Sequence, residues 1–215
     1  QAELGRLEDL GGGGLGQVWG RTDREEAVAT LRMGVERGIT LIDLAPLYGR
    51  GEAEAVAGAA FEGAWPEGVR VTTKCLLGAV PAREVHERLE RSLRRSLETM
   101  RRERADLFFL HSNIHPDGYV FRQDAKTQAR WALPWTLYAE AVIPAFERLA
   151  AQGLIGAWGI TGTGLPRSIM EALRHEPKPA AVQAVANLMD SAGGMRRYEE
   201  PPEPRNIIRT ARNNG

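Results

Sequence analysis

Short apolar runs alternate with amphipathic stretches along most of this chain, and that alternation limits its fold more than any other feature. The runs lie at 39–44 (ITLIDL), 69–73 (VRVTT), 105–110 (ADLFFL), 154–160 (LIGAWGI) and 180–185 (AAVQAV), with a glycine-rich one near 10–13. Most of them lack polar alternation, so they read as strands buried on both faces. Helical spacing fills the gaps. Thr22, with Glu25 three residues on, reads as a capping box for a helix carrying Ala27, Val28, Leu31 and Val35 on one face, with Gly38 as its stop. Stretches 52–61, 81–102, 138–152 and 166–175 follow as helices, the second with a stripe of Val85, Leu89, Leu93, Leu97 and Met100. A last helix is expected over 206–212. Segment 112–136, holding Trp131 and Trp135, reads as an irregular insertion, and 198–204 as a polar, proline-rich loop. Strand–helix repetition of this kind implies an α/β fold with a parallel sheet covered by helices. An open doubly wound sheet and a closed eight-stranded barrel both fit.

Composition removes several function classes. Of 215 residues, 43% are hydrophobic and 26% charged, which is ordinary for a globular chain. Lys plus Arg and Asp plus Glu both number 28, so no broad surface for nucleic acid or an anionic membrane is expected. The arginines of 81–102 read as a solvated outer face. A single cysteine, Cys75, excludes an internal disulfide framework and a cysteine-rich zinc site, and it reads as a small buried residue. No metal site is expected. Neither a long apolar span nor a signal-like N-terminus is visible, so the expected location is cytoplasmic.

Gly11, Gly13 and Gly16 have the spacing of a dinucleotide fingerprint. The context does not match. RLEDL before them is not a convincing buried strand, and the next helix starts several residues after Gly16, so a pyrophosphate would miss its N-terminus. The segment is expected to be a strand edge and a turn.

Polar residues follow the apolar runs at telling places. Asp43 ends ITLID, Lys74 ends VTTK, His111 follows ADLFFL, Thr161 follows GAWGI, and Gln183 lies in AAVQAV. In a parallel barrel the strand C-termini converge on the face that carries the active site. Asp43, Lys74 and His111 would then meet, with Tyr48 on the loop leaving the Asp43 strand. Tyrosine normally ionises near pH ~10. A lysine cation beside it favours the phenolate, and an aspartate keeps that lysine charged and placed. Tyr48 would then exchange a proton near neutral pH while His111 orients a substrate oxygen, a set suited to carbonyl reduction.

DLAPLYG at 43–49, Thr73-Lys74 and DLFFLH at 106–111 resemble the aldo-keto reductase superfamily, and LGGGGLGQVWG resembles its bacterial members related to sugar and galactose dehydrogenases. The resemblance implies a (β/α)8 TIM barrel that binds NADP(H), or in some members NAD(H), without a dinucleotide-fold domain. It gives Asp43, Tyr48, Lys74 and His111 the catalytic roles. It also implies Thr161, Gly162 and Gln183 near the nicotinamide amide, with Asp43, and Gly12 and Gly13 approached by the cofactor. At Gly162, where an asparagine is usual, one amide contact is missing. Trp19, Trp131 or Trp135 are expected to wall a pocket for a small carbonyl or sugar substrate beside His111. About six strands are countable where a closed barrel needs eight. The expectation is therefore a single barrel domain over 1–215 whose C-terminal part, with the final two strands, belongs to a longer polypeptide. A second reading is a non-catalytic barrel acting as a cofactor-binding or regulatory partner subunit. Substrate identity, NADP against NAD preference and oligomeric state stay open.

Overall fold

A computed structural model describes residues 9–18, 20–120, 125–186 and 200–214. β1 (Asp9–Gly11) leads to α1 (Arg24–Glu36), β2 (Leu41–Asp43) to α2 (Glu52–Phe61), and β3 (Arg70–Cys75) to α3 (Val85–Met100). β4 (Ala105–Leu110) leads into β5 (Asn113–His115), α4 (Ala125–Trp131), β6 (Ala132–Pro134) and α5 (Trp135–Leu137), which continues through a π-helical turn into α6 (Ile143–Ala151). β7 (Ile155–Thr161), α7 (Pro166–Ala172), β8 (Ala181–Gln183) and α8 (Pro204–Asn213) complete the order. Six strands form one sheet in the order β1-β2-β3-β4-β7-β8, and the β1–β2, β2–β3 and β7–β8 pairs are parallel. Each strand thus lies beside the next sheet strand in the chain, the β/α repeat of the eight-stranded barrel.

Three of the sequence readings need correction. Segment 112–136 is not irregular throughout, because β5 and β6 pair in parallel as a small sheet of their own. Asp117 accepts from the Thr136 N–H at 3.1 Å and fastens the start of α5. The α1 cap is Asp23 rather than Thr22. The Asp23 carboxylate accepts from the N–H groups of Glu25 and Glu26, whereas the Thr22 hydroxyl turns to the Gly14 carbonyl. Pro81 leads a single 3-10 turn, so α3 proper begins at Val85, and its whole apolar stripe is buried.

Contacts group the chain into two units. One comprises Gln1–Lys74, Arg91–Phe108 and Gly153–Gly156, and the other Cys75–Glu90, Phe109–Gln152 and Ala157–Gly215. In the first, α2 meets the C-terminal turn of α3 through Gly58, where an added Cβ would lie 2.2 Å from the Thr99 carbonyl oxygen. Just beyond, Asp106 accepts from the Val71 N–H at 2.8 Å and from Arg102 at 3.3 Å. Arg102 also lies over the Trp65 ring, whose indole N–H donates to the Met100 carbonyl. This cluster fixes the return from α3 into β4. In the second unit Phe146 stacks on Trp158 at 5.4 Å between ring centroids, joining α6 to β7. No helix among the described residues is long and apolar enough to cross a membrane.

Gly58→Ala is expected to destabilise the protein by about 1–3 kcal/mol, because the new methyl must push α2 off the Thr99 carbonyl. Urea denaturation measures this, and an unchanged midpoint would show that the two helices part there freely.

Candidate active site

The first unit assembles a buried charged cluster at the ends of β2 and β3. Register sets Gly11 opposite Asp43 and Asp43 opposite Thr72. Strand alternation then puts Gly11, Asp43, Thr72 and Lys74 on one face of the sheet. Lys74 is 1% exposed and Asp43 6%. The Lys74 ammonium donates to Asp43 Oδ1 at 2.5 Å and to the Leu44 carbonyl at 2.9 Å. Thr72 Oγ1 donates to the same carboxylate oxygen at 2.5 Å. The Tyr48 hydroxyl donates to the Asp43 carboxylate, and Lys74 Nζ lies 5.0 Å from the Tyr48 ring centroid. Asp43, Tyr48 and Lys74 are therefore brought together as the sequence implied.

The glycine-rich segment after β1 explains how Tyr48 is held. Residues 12–18 form turns, not a phosphate cradle leading into a helix. An added Cβ on Gly16 would lie 2.4 Å from the Tyr48 carbonyl carbon, and one on Gly49 would lie 2.0 Å from the Gly16 carbonyl oxygen. The two glycines seat against each other, and Gly49 also has φ +65°, where side chains are disfavoured. Tyr48 is thereby clamped at the backbone. Gly12 donates to the Asp43 carbonyl at 2.7 Å, and a Cβ there would strike that oxygen, so packing against β2 already accounts for this glycine. The Gly13 carbonyl accepts from the Val18 N–H. Gly11 differs: nothing lies within 4 Å of its missing side chain, on the face that carries Asp43. Trp19 lies outside the described residues.

The electrostatics correct one expectation. Burial pulls the Lys74 pKa down, and Asp43, then Asp9 and Glu54, partly restore it. Tyr48 was expected to be lowered by Lys74. Instead burial, then the charge and hydrogen bond of Asp43, raise it well above the usual phenol range. The ammonium points at Asp43 and the Leu44 carbonyl, whereas the phenol points its proton into a carboxylate. Tyr48 is consequently a neutral phenol throughout the physiological range.

The second unit holds the remaining candidates. His111 follows β4 directly; its N–H donates to the Cys75 carbonyl at 2.8 Å, and its ring stands edge-on to Trp131 at 6.1 Å. Trp135 packs instead on Tyr138 and His175. At the ends of β7 and β8, the Thr161 hydroxyl donates to the Leu110 carbonyl, which leaves its lone pairs as acceptors. The Gly162 N–H donates to the Gln183 carbonyl at 2.6 Å. Thr161, Gly162 and Gln183 thus form one group. Sequence reasoning missed Thr72, whose place two residues before Lys74 puts it on the same strand face. It also missed Glu54, a carboxylate inside the alanine-rich buried face of α2.

Comparison with known proteins shows the family. A profile of the Aldo/keto reductase family matches residues 9–215. The chain belongs to that family. It is 31% identical over 140 residues to methylglyoxal reductase YeaE of Escherichia coli, an alignment covering 65% of this chain and 40% of that protein. The chain thus spans less than half of that relative's length. A thermostable aldo-keto reductase solved with the inhibitor epalrestat superposes with TM-score 0.66 at 22% identity, covering 99% of this chain and 68% of the other. An aldo-keto reductase from Klebsiella pneumoniae solved with NADPH gives TM-score 0.59 at 24% identity, over 83% and 53% of the two chains. These neighbours bear out the aldo-keto reductase (β/α)8 fold.

Lys74→Met is expected to cost about 3–5 kcal/mol by leaving the Asp43 carboxylate buried without its cation, whereas Lys74→Met with Asp43→Leu regains most of the loss. Chemical denaturation of the single and double variants measures both, and equal stability of the two would contradict the pairing.

Proposed function

We propose that this chain carries the catalytic part of an NADP(H)-dependent oxidoreductase that interconverts a small aldehyde, ketone or sugar carbonyl with its alcohol. The observation that carries this reading is the neutral Tyr48 phenol, hydrogen-bonded into a buried Asp43–Lys74 pair at the ends of two parallel strands. The name of the E. coli relative, a methylglyoxal reductase, and the NADPH in the K. pneumoniae structure support the same class of activity.

A nicotinamide cofactor fits the residues available. Gly11 is exposed on the Asp43 face, and nothing lies within 4 Å of the position its side chain would take. Thr161 has acceptor lone pairs for an amide N–H, and Gln183 stands on the neighbouring strand. NAD(H) remains the alternative cofactor. When bound, the reduced nicotinamide supplies a hydride to the carbonyl carbon.

The protein's own contribution is proton handling and orientation. Tyr48 donates its proton to the carbonyl oxygen as charge develops there. Lys74 then stabilises the phenolate, and Asp43 and the Leu44 carbonyl hold the ammonium in place. The family resemblance gives His111 the orientation of the substrate oxygen, and within the second unit Trp131 stands edge-on beside it. The raised pKa of Tyr48 sets the pH dependence. The proton is present across the neutral range, so reduction is flat there. Alcohol oxidation needs the phenolate, so it rises as pH increases.

Tyr48→Phe is expected to lower the reduction rate by roughly 10²–10⁴-fold with an unchanged circular dichroism spectrum. Steady-state assays with NADPH and a panel of aldehydes check this, and undiminished turnover overturns the role of Tyr48. In the wild type, an oxidation rate that falls between pH 7 and pH 9 would contradict the protonation state assigned here.

A further inference from the structure

Glu54 lies on the other side of β3 from the charged cluster. It is 3% exposed and sits among Ala53, Val56, Ala57 and Ala60, the buried face of α2. A carboxyl group in such a place is strongly disfavoured unless it is satisfied. Thr73 Oγ1 donates to Glu54 Oε1 at 2.6 Å, and Ser96 of α3 supplies a second hydroxyl bond. Thr73 and Ser96 are both buried, with their oxygens 3.5 Å apart. Thr73 immediately precedes Lys74. Strand alternation turns Thr73 toward the helices and Lys74 toward Asp43. The network therefore grips β3 at the peptide that presents the lysine.

We propose that Glu54 is a positioning residue for the reaction, acting through Thr73 to fix the backbone beneath Lys74. This inference rests on the reductase reading for its consequence in turnover, but not for its effect on Lys74. Thr73 of β3 and Ser96 of α3 face Glu54, and the charges of Lys74, across the strand, and of Arg95 reach it. Those facing Lys74 are Asp43 from β2, Asp9 from β1 and Tyr48 from the turn after β2, with the charge of Glu54 acting across the strand. Burial raises the Glu54 carboxyl, while its hydroxyl donors and the Lys74 and Arg95 charges pull it down in part. Conversely, Glu54 is one of the charges that offset the desolvation of Lys74.

Glu54→Gln keeps the volume and the acceptor oxygen but removes the charge. Lys74 then loses a stabilising neighbour, so its ammonium gives up its proton at lower pH. The expected result is a downward shift of the Lys74 titration, read by NMR of ¹³C-labelled lysine without substrate. In turnover, the alkaline limb of the kcat profile for reduction moves in the same direction, and KM for the carbonyl is unchanged. Glu54→Asp, which keeps the charge, should restore part of the limb. An unshifted Lys74 titration in a folded Glu54→Gln protein overturns the proposal. If the wild type reduces no carbonyl, the reductase reading falls, and the lysine titration still decides the role of Glu54. If Glu54→Gln does not fold, Thr73→Val carries the test. It leaves the carboxylate and cuts its link to β3, so kcat should fall severalfold, and unaltered turnover would overturn the positioning role.

Discussion

The buried ion pair between Lys74 and Asp43 is the interaction on which the rest of the site depends. Two charges removed from water are costly, and they persist only when their remaining hydrogen-bonding capacity is met. Here Thr72, Tyr48 and the Leu44 carbonyl meet it. Each comes from a strand end or from the turn that follows one. A slip of β3 against β2 by one residue would turn Lys74 away from Asp43 and face Thr73 toward it instead. Register and chemistry are thus the same constraint, and the parallel β/α repeat supplies that register.

Around this pair, the chain uses small residues to bring backbones close and hydroxyls to absorb buried charge. Gly16 and Gly49 press together beneath Tyr48, and Gly58 lets α2 settle on the end of α3. Thr73 and Ser96 take up the carboxyl that α2 sends inward. The helical layer is consequently more than a cover for the sheet. It reaches through β3 to the residue on the opposite face.

Much of this was legible from residue order. Apolar runs ended by Asp43, Lys74 and His111 are sufficient to place those side chains at strand C-termini, and the strands lie within a few residues of where the runs do. The α1 cap was misread because Thr22 and Asp23 are both good caps, and only the distant Gly14 carbonyl decides between them. The insertion was read as irregular because its two strands are three residues each, too short for periodicity to register. The direction of the Tyr48 shift was missed for a different reason. Sequence places a lysine near a tyrosine but does not say that the ammonium is already committed to a carboxylate. Glu54 carried a signal, a single acid on an alanine face, which has meaning only once Thr73 is known to face it.

The contact between Gly16 and Gly49 joins two loops that belong to different β/α units. Neither glycine has room to accept a side chain while the other loop stays put. The two loops therefore behave as one heritable part: a sequence that drifts in the first must be answered in the second, or the tyrosine moves. Loops on a barrel face are usually the freely exchangeable portion of the scaffold. In this chain that freedom begins only beyond the glycine joint, so new specificity has to be built from the loops that leave β3 and the later strands.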